Sequence, residues 1–423
     1  MSKFDNYKIK YYNINNVSEI KELKNLPEND LESMKIVAKL LPFRVNNFVI
    51  ENLIDWKKAP NDPIFKMTFP HRGLVRDKHY ELLRSSSFNN EILNRIRSEL
   101  NPHPSGQKSN VPMLEGKEVK GLQHKYDETV LLFPREGQTC HTYCTFCFRW
   151  PQFIGDKQLK FETDQTKAIY RYIKNSSQIT DILFTGGDPL VMPAKKLRAY
   201  IEPFLSADFK HIKTIRIGSK ALSYWPFRFI SDEDTVALLK LFREVVKSGK
   251  HLAFMAHFNH WIELENEFVR KAIKNIQKTG AVIRSQSPIL SNINDSSDVW
   301  SKMWRTQYQV GIVPYYMFVE RDTGADHYFS VPLYKAYSIY CDSVNQLSGL
   351  CRTVRGPSMS ATPGKLNVEG IKEINDKKVF VLKFLQARQR EWVNKLVFAE
   401  YDEKATWLND LRPAFENEFF FEE

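Results

Sequence analysis

From about residue 130 the chain alternates short apolar runs with longer amphipathic ones. The apolar runs are VLLF from Val130, ITDILF from Ile179, IKTIRI from Ile212, HLAFMAHF from His251, AVIRS from Ala281 and IVPYYMFV from Ile312. Runs this short, bounded by turn residues, predict buried β-strands. Between them, DEDTVALLKLFREVVKSG opens on acids and stops at Gly249, and NEFVRKAIKNIQKTG stops at Gly280. Acidic starts and glycine stops predict helices. Six strand–helix units in a row predict parallel strands with right-handed crossovers. Six units fall short of a closed eight-stranded barrel. The predicted class is therefore α/β, an open or partial (βα)6 barrel whose ligands bind at the carboxyl ends of the strands.

Outside that region the pattern changes. Residues 1–120 read as a helical N-terminal extension that ends in a Pro-rich connector, NPHPSGQKSNVP, from Asn101 to Pro112. The barrel is assigned to residues 121–350. Residues 351–423 form a C-terminal segment with an irregular stretch, RGPSMSATPGKLNVEG, then apolar KKVFVLKF and a tail ending FENEFFFEE. The tail aromatics read as exposed and suited to a partner subunit.

Composition narrows the class. With 423 residues, 42% hydrophobic, the chain is long enough for a large core. No apolar run reaches the length of a transmembrane helix. The polar start, MSKFDNYKIKYYNINN, does not read as a secretory signal, so a cytoplasmic protein is expected. The net charge of +11 is spread along the chain and interleaved with acids, which argues for a solvated basic surface rather than nucleic-acid binding. Five cysteines, three of them within eight residues, do not form a disulfide framework.

Those three are Cys140, Cys144 and Cys147, in CHTYCTFC. Closely spaced thiolates suit an iron–sulfur cluster, and three ligands for four irons leave one iron open to a small molecule. The competing reading is zinc, which asks for a fourth ligand; only His141 is near. A second element, Thr185-Gly186-Gly187-Asp188, directly follows the strand ITDILF. Glycines there let a backbone approach a ligand closely.

The CxxxCxxC spacing, with an aromatic before the last cysteine, resembles the signature of radical S-adenosylmethionine (SAM) enzymes. That resemblance implies a partial (βα)6 barrel and a [4Fe–4S] cluster on Cys140, Cys144 and Cys147. It also implies SAM on the open iron, with Thr185, Gly186, Gly187 and Asp188 beside the SAM amino group. A further set of segments, GLQHKYDETVLLF, IRIGSKAL, AHFNHWIEL, RSQSPILSNIND and VPYYMFVERDTGADHYFSVP, resembles lysine 2,3-aminomutase and its relatives, over about Gly121 to Lys365.

This narrower resemblance implies a second cofactor, pyridoxal 5′-phosphate (PLP), and a 2,3-amino migration that yields a β-amino acid. It implies Lys365, in ATPGK, as the lysine that carries PLP when substrate is absent, since only an amine can do so. It places Lys125 and Gln286 at the cofactor, with Asn294 as a further lining residue. Arg149 takes the place of the arginine that grips the substrate carboxylate, a task suited to a planar bidentate donor. A free amino-acid substrate, a flavodoxin- or ferredoxin-type electron donor and a homo-oligomer are implied as well.

The chain also departs from that family. A second phosphate-binding position holds Thr129, for which Arg135 is the candidate replacement. The two aspartates that hold a lysine substrate's ammonium group align with Arg321 and, less closely, Arg355. Two arginines repel an ammonium group and suit a carboxylate, so the expected substrate is an acidic or otherwise non-cationic amino acid, such as aspartate or glutamate, not lysine. Glu320, Asp322 and Asp326 lie near enough to restore a lysine site if the loop shifts by one residue. No cysteine follows Cys351, so no zinc is expected, and Cys341 reads as a core residue. The competing functional readings are decarboxylation, deamination or protein side-chain modification by the same radical machinery. A non-enzymatic reading, a basic cluster-containing sensor, would be excluded by PLP binding and SAM cleavage.

Overall fold

The computed structural model describes residues 7–102, 110–155 and 160–422. Residues 1–6 of the polar start, and 103–109 of the Pro-rich connector, lie outside the described residues.

Alternating burial along the short apolar runs builds one mixed sheet of eleven strands. In chain order these are β1 (Leu122–Tyr126), β2 (Thr129–Leu132), β3 (Asp181–Phe184), β4 (Thr214–Ser219), β5 (His251–His257) and β6 (Val282–Ile289), followed by β7 (Val313–Val319), β8 (Arg355–Ser360), β9 (Gly364–Ile374), β10 (Lys377–Ala387) and β11 (Leu396–Glu400). Their spatial order equals their sequence order. Strands β2 to β8 are mutually parallel. Strand β1 pairs antiparallel at one edge, and β9 to β11 continue antiparallel at the other.

All six strands read from the sequence are present. The seventh parallel strand, β8, and most of β9 occupy the stretch read as irregular, and that expectation is corrected. RGPSMS lacks β-branched residues, so its strand character comes from its neighbours: β7 pairs it on one side and β9 on the other. A Cβ at position 356 would lie 2.7 Å from the Met317 carbonyl oxygen, so glycine there permits the close approach.

The crossovers are helices with one apolar face. Helix α1 (Thr166–Lys174) leads into β3, α2 (Ala194–Ile201) precedes β4, α3 (Thr235–Lys247) precedes β5, α4 (Glu267–Gln277) precedes β6, α5 (Ser297–Gln309) precedes β7, and α6 (Leu333–Asn345) precedes β8. In α3 the buried positions Leu238, Leu241, Phe242 and Val245 follow the i, i+3, i+4, i+7 pattern of a core-facing stripe. Each such side chain contributes roughly 1.5–3 kcal/mol of transfer free energy. The chain leaves α4 through Gly280, whose φ of +86° is the left-handed conformation that ends a helix.

Two contacts join the sheet's outer regions. Lys125 on β1 donates to the carbonyl of Ala361, just past β8. Arg390, after β10, pairs with Asp127 at 2.6 Å. The N-terminal helices share one apolar core with β2 to β7, while β8 to β11 and the tail build a second core. Phe419 is buried there, and Phe420 and Phe421 pack on Phe384 at 5.9 and 5.5 Å. Phe419, Phe420 and Phe421 thus cover the chain's own sheet, which corrects their reading as exposed, whereas Phe415 is exposed. Cys341 is half-buried rather than in the core, because α6 turns Leu333, Ala336, Ile339 and Ser343 inward instead. No helix of the described residues is long and apolar enough to cross a membrane.

Candidate active site

The candidate residues converge at the carboxyl ends of the parallel strands, where loops leave a rigid sheet. The cysteine loop follows β2, the Gly-Gly-Asp loop follows β3, and Lys220 follows β4. His257 closes β5, Gln286 lies in the carboxyl half of β6, and Arg321 lies just beyond β7.

Cys140, Cys144 and Cys147 are half-buried. Burial pushes all three thiols up, Cys144 to about 11 and Cys147 to about 12, and the neighbouring sulfurs raise Cys140 and Cys147 further. Three soft donors that resist ionisation together favour a site where a metal cluster supplies the compensating charge. Among the described residues no three Cys, His, Asp or Glu side chains are arranged to hold a single metal ion. Cys144 Sγ also lies 3.8 Å from the Tyr224 hydroxyl.

The glycine pair packs against the start of the cysteine loop. A Cβ on Gly187 would sit 2.6 Å from the Thr139 nitrogen, and Gly186 has a φ of +143°. Asp188 N–H donates to Thr139 O at 2.7 Å, which ties the two loops together. The Asp188 carboxylate is 3% exposed and accepts from Leu190 N, Ser219 Oγ and Lys220 N at 2.8–3.0 Å. Its acceptor capacity is spent inside the chain, so what this loop turns outward is backbone together with Thr185. Asn294 is likewise engaged by its own loop, through Leu290 N, Asn259 O and Pro288 O.

The other side of the rim is rich in cations. Lys365 opens β9 and reaches back over the Tyr316 ring, 4.1 Å from its centroid. Burial, with Arg216 and Arg355 nearby, lowers its pKa to about 7. Lys125 is also lowered to about 7, by burial and then by Arg388, Arg321 and Lys365. Arg149 stacks on Phe133 at 4.4 Å and on Phe148 at 5.2 Å. Burial lowers it to about 10, with Arg321 adding to the fall and Cys147 opposing it. Arg321 lies 5.6 Å from the same Phe148 ring and 5.8 Å from Trp407, which the tail brings in. Among the described residues no carboxylate lies within ion-pair distance of Arg149, Arg321, Lys125 or Lys365. Glu320, beside Arg321, is itself buried, and burial raises its carboxyl well above the usual range.

Several expected placements change. Register pairs Arg355 with Tyr316 inside β7, whereas Arg321 lies beyond that strand's carboxyl end. Arg355 is therefore not brought to Arg321; it donates to the Tyr316 hydroxyl at 3.2 Å and accompanies Lys365 instead. Arg135 does not replace a base at Thr129. It is spent at the surface on Asp164 and Glu162, and Thr129 is buried at the start of β2. Gln286 Nε2 donates to His257 Nε2 at 2.9 Å, and burial lowers His257 to about 3, a neutral imidazole.

Some residues of the site were missed in the sequence. Arg216 lies on the inward, alternating face of β4 and pairs with Asp181 at 2.8 Å. A charged residue inside IKTIRI was the available signal. Arg388 is placed beside Lys125 by the C-terminal hairpin, which no local pattern announces. Glu263 is 0% exposed and accepts from Lys220 Nζ at 2.6 Å, Asn259 N at 2.6 Å and His260 N at 2.9 Å.

No family model matches the chain. An Aquifex aeolicus protein that carries the L-lysine 2,3-aminomutase name provisionally is 30% identical over 403 residues, 95% of each chain. The L-lysine 2,3-aminomutase of Acetoanaerobium sticklandii is 29% identical over 80% of this chain and 72% of its own. That of Clostridium subterminale is 26% identical over 80% and 71%. Such similarity over nearly the full length, in a chain whose cysteine, Gly-Gly-Asp and lysine loops meet at one end of a parallel sheet, shows that it belongs to the lysine 2,3-aminomutase family of radical SAM enzymes.

Proposed function

We propose that this protein is a PLP-dependent radical SAM aminomutase that moves the amino group of a free amino acid from C2 to C3, and that its substrate carries a side-chain carboxylate. The observation that carries this reading is the group of Lys125, Arg149, Arg321 and Lys365 on one rim with no carboxylate in ion-pair distance among the described residues. Clustered, half-buried cations without a carboxylate in ion-pair distance are costly unless an anion completes them.

On this reading the sheet, joined across by Lys125 and Ala361, is a partial (βα)6 barrel. Cys140, Cys144 and Cys147 hold a [4Fe–4S] cluster, and the backbone at Thr185, Gly186 and Gly187 lines the SAM site. The donor set fits: three sulfurs on one loop, and glycines that keep the facing backbone close. Lys365 fits PLP, because an amine lowered to about 7 is nucleophilic at neutral pH. Lys125 and Gln286 would flank it. When bound, the cluster with SAM supplies a carbon radical and PLP supplies the electronic relay for the amino shift.

The chain's own residues do the rest. Arg149 holds the α-carboxylate, stacked and oriented by Phe133 and Phe148. Arg321 holds the side-chain carboxylate, fixed between Phe148 and Trp407. Tyr316 and Phe318 shield the Lys365 amine from water. We further assign the protein to the cytoplasm as a homo-oligomer fed by a flavodoxin or ferredoxin.

The test is anaerobic reconstitution with iron, sulfide, PLP, SAM and dithionite, followed by each of the twenty amino acids in turn. Mass spectrometry reads 5′-deoxyadenosine and any β-amino acid. Glutamate or aspartate is expected to give the isomer. A response to lysine alone would reject the acidic substrate and turn attention to Glu320. Deoxyadenosine without any isomer would move the reading to decarboxylation, deamination or side-chain modification.

A further inference from the structure

The N-terminal extension is built into the cysteine loop. Tyr143 N–H donates to Arg44 O at 2.8 Å, and Thr145 donates through its N–H to Met67 O at 2.9 Å and through Oγ1 to Lys66 O at 2.7 Å. The Arg44 guanidinium donates to Thr139 Oγ1 at 2.6 Å. A loop's backbone groups must find partners somewhere, and here residues 44–67 supply them.

One residue joins the extension both to the cysteine loop and to the segment after β4. Asn46 is 0% exposed. Its Oδ1 accepts from Val49 N at 3.1 Å and so caps the helix Asn47–Asn52. Its Nδ2 points at His141 O at 3.1 Å, Thr142 Oγ1 at 3.1 Å and Tyr224 O at 2.9 Å. Its backbone N–H also reaches Thr142 Oγ1, at 3.2 Å. An amide has two hydrogens, so three acceptors crowd round them. Asn46 thus locks the segment between Cys140 and Cys144 to the segment that carries Tyr224, whose hydroxyl faces Cys144.

We propose that Asn46 is a positioning residue for the cluster: its two side-chain N–H groups set the spacing of the cysteine loop, so that the extension is half of the cluster site. This rests on the cluster reading above. Without those donors the loop loses its anchor to β4's exit, and the three sulfurs lose their mutual geometry, while Lys365 and Lys125 are untouched.

The variant N46D keeps the shape and the oxygen that caps Val49 but removes both donors. Iron affinity of the reconstituted protein is expected to fall by roughly tenfold or more, as for other residues that orient metal ligands, and the electron paramagnetic resonance signal of the reduced cluster to fall with it. PLP uptake at Lys365, read by its visible absorbance in iron-free protein, is expected to match the wild type. Wild-type iron and an unchanged spectrum in N46D would overturn the proposal. If N46D loses PLP uptake as well and has not folded, Thr142→Val decides, because it removes the acceptor that Asn46 uses twice. Unchanged iron binding there would overturn the proposal, and reduced binding with PLP uptake intact would support it. Wild-type protein that takes up no iron would sink the cluster reading and this inference together, whereas equal iron in wild type and variant sinks this inference alone.

Discussion

The two sides of the rim are finished to different degrees. On the cysteine side three buried anchors are fully paired: Asp188, Asn46 and Glu263 each hold three or more partners within the chain, while His141 Nδ1 and Gln138 Oε1 are buried without one among the described residues. On the lysine side Lys125, Arg149, Arg321 and Lys365 crowd together, and each is lowered by burial and, for three of them, by neighbouring cations. A protein meets the cost of burying polar groups by pairing them. A group of cations with no carboxylate in ion-pair distance among the described residues, set beside anchors that are fully paired, marks a site for ligands. The paired anchors are scaffold, and the cationic side awaits anions.

That contrast can be broken at several points. The largest effect is expected on the open side. Lys365→Ala should abolish the visible PLP band and lower any amino-shift activity by more than about 10³-fold, with little change in thermal stability. A stability loss as large as the scaffold variants show would erase the distinction.

At the paired anchors the effect should be on the fold. Glu263→Gln leaves Lys220 buried against a neutral amide, and breaking a buried pair of this kind costs about 3–5 kcal/mol. Denaturant unfolding should show that loss, and an unchanged midpoint would mean that Glu263 is not structural.

A pH series sharpens the comparison. Lys365 at about 7 is neutral above that pH, so PLP capture by the apoprotein should rise through about pH 7 and then level off. An ordinary lysine would keep rising toward 10.5. The linkage has a definite sign: between about pH 7 and 10.5 the unfolded chain holds one more proton than the folded one, so this group makes stability rise with pH in that window. Lys365→Met should remove that contribution.

The smallest expected effect is spectroscopic. Tyr224→Phe removes a hydroxyl that faces Cys144 at 3.8 Å, and the potential of a reconstituted cluster should become more negative, since hydrogen bonds to sulfur stabilise the reduced state.

Local pattern revealed much of this, and contact supplied the rest. The six strands from Val130 to Val319 were legible because each is a short apolar run bounded by turn residues, most of them with alternate positions buried. Strand β8 was not, because Gly356, Pro357 and Ser358 carry no strand propensity and take the conformation from two neighbouring strands. Chemistry written as spacing, in Cys140 to Cys147 and in Gly186 to Asp188, was equally legible. Roles that depend on distant partners were not: Asn46 meets Thr142 across 96 residues, and Lys220 meets Glu263 across 43. Arg355 is a different case: its alignment suggested the substrate pocket, and strand register sets it beside Tyr316 inside β7, ahead of the loop that carries Arg321.

The most direct test of the central claim is a comparison of wild type with Arg321→Asp, reconstituted alike and offered glutamate, aspartate and lysine. The account predicts that wild type isomerises an acidic amino acid, and that the variant loses about 100-fold or more in kcat/KM for it through loss and reversal of a charge-assisted contact, while still cleaving SAM. Wild type that isomerises only lysine, or a variant that handles the acidic substrate as well as wild type, would contradict it.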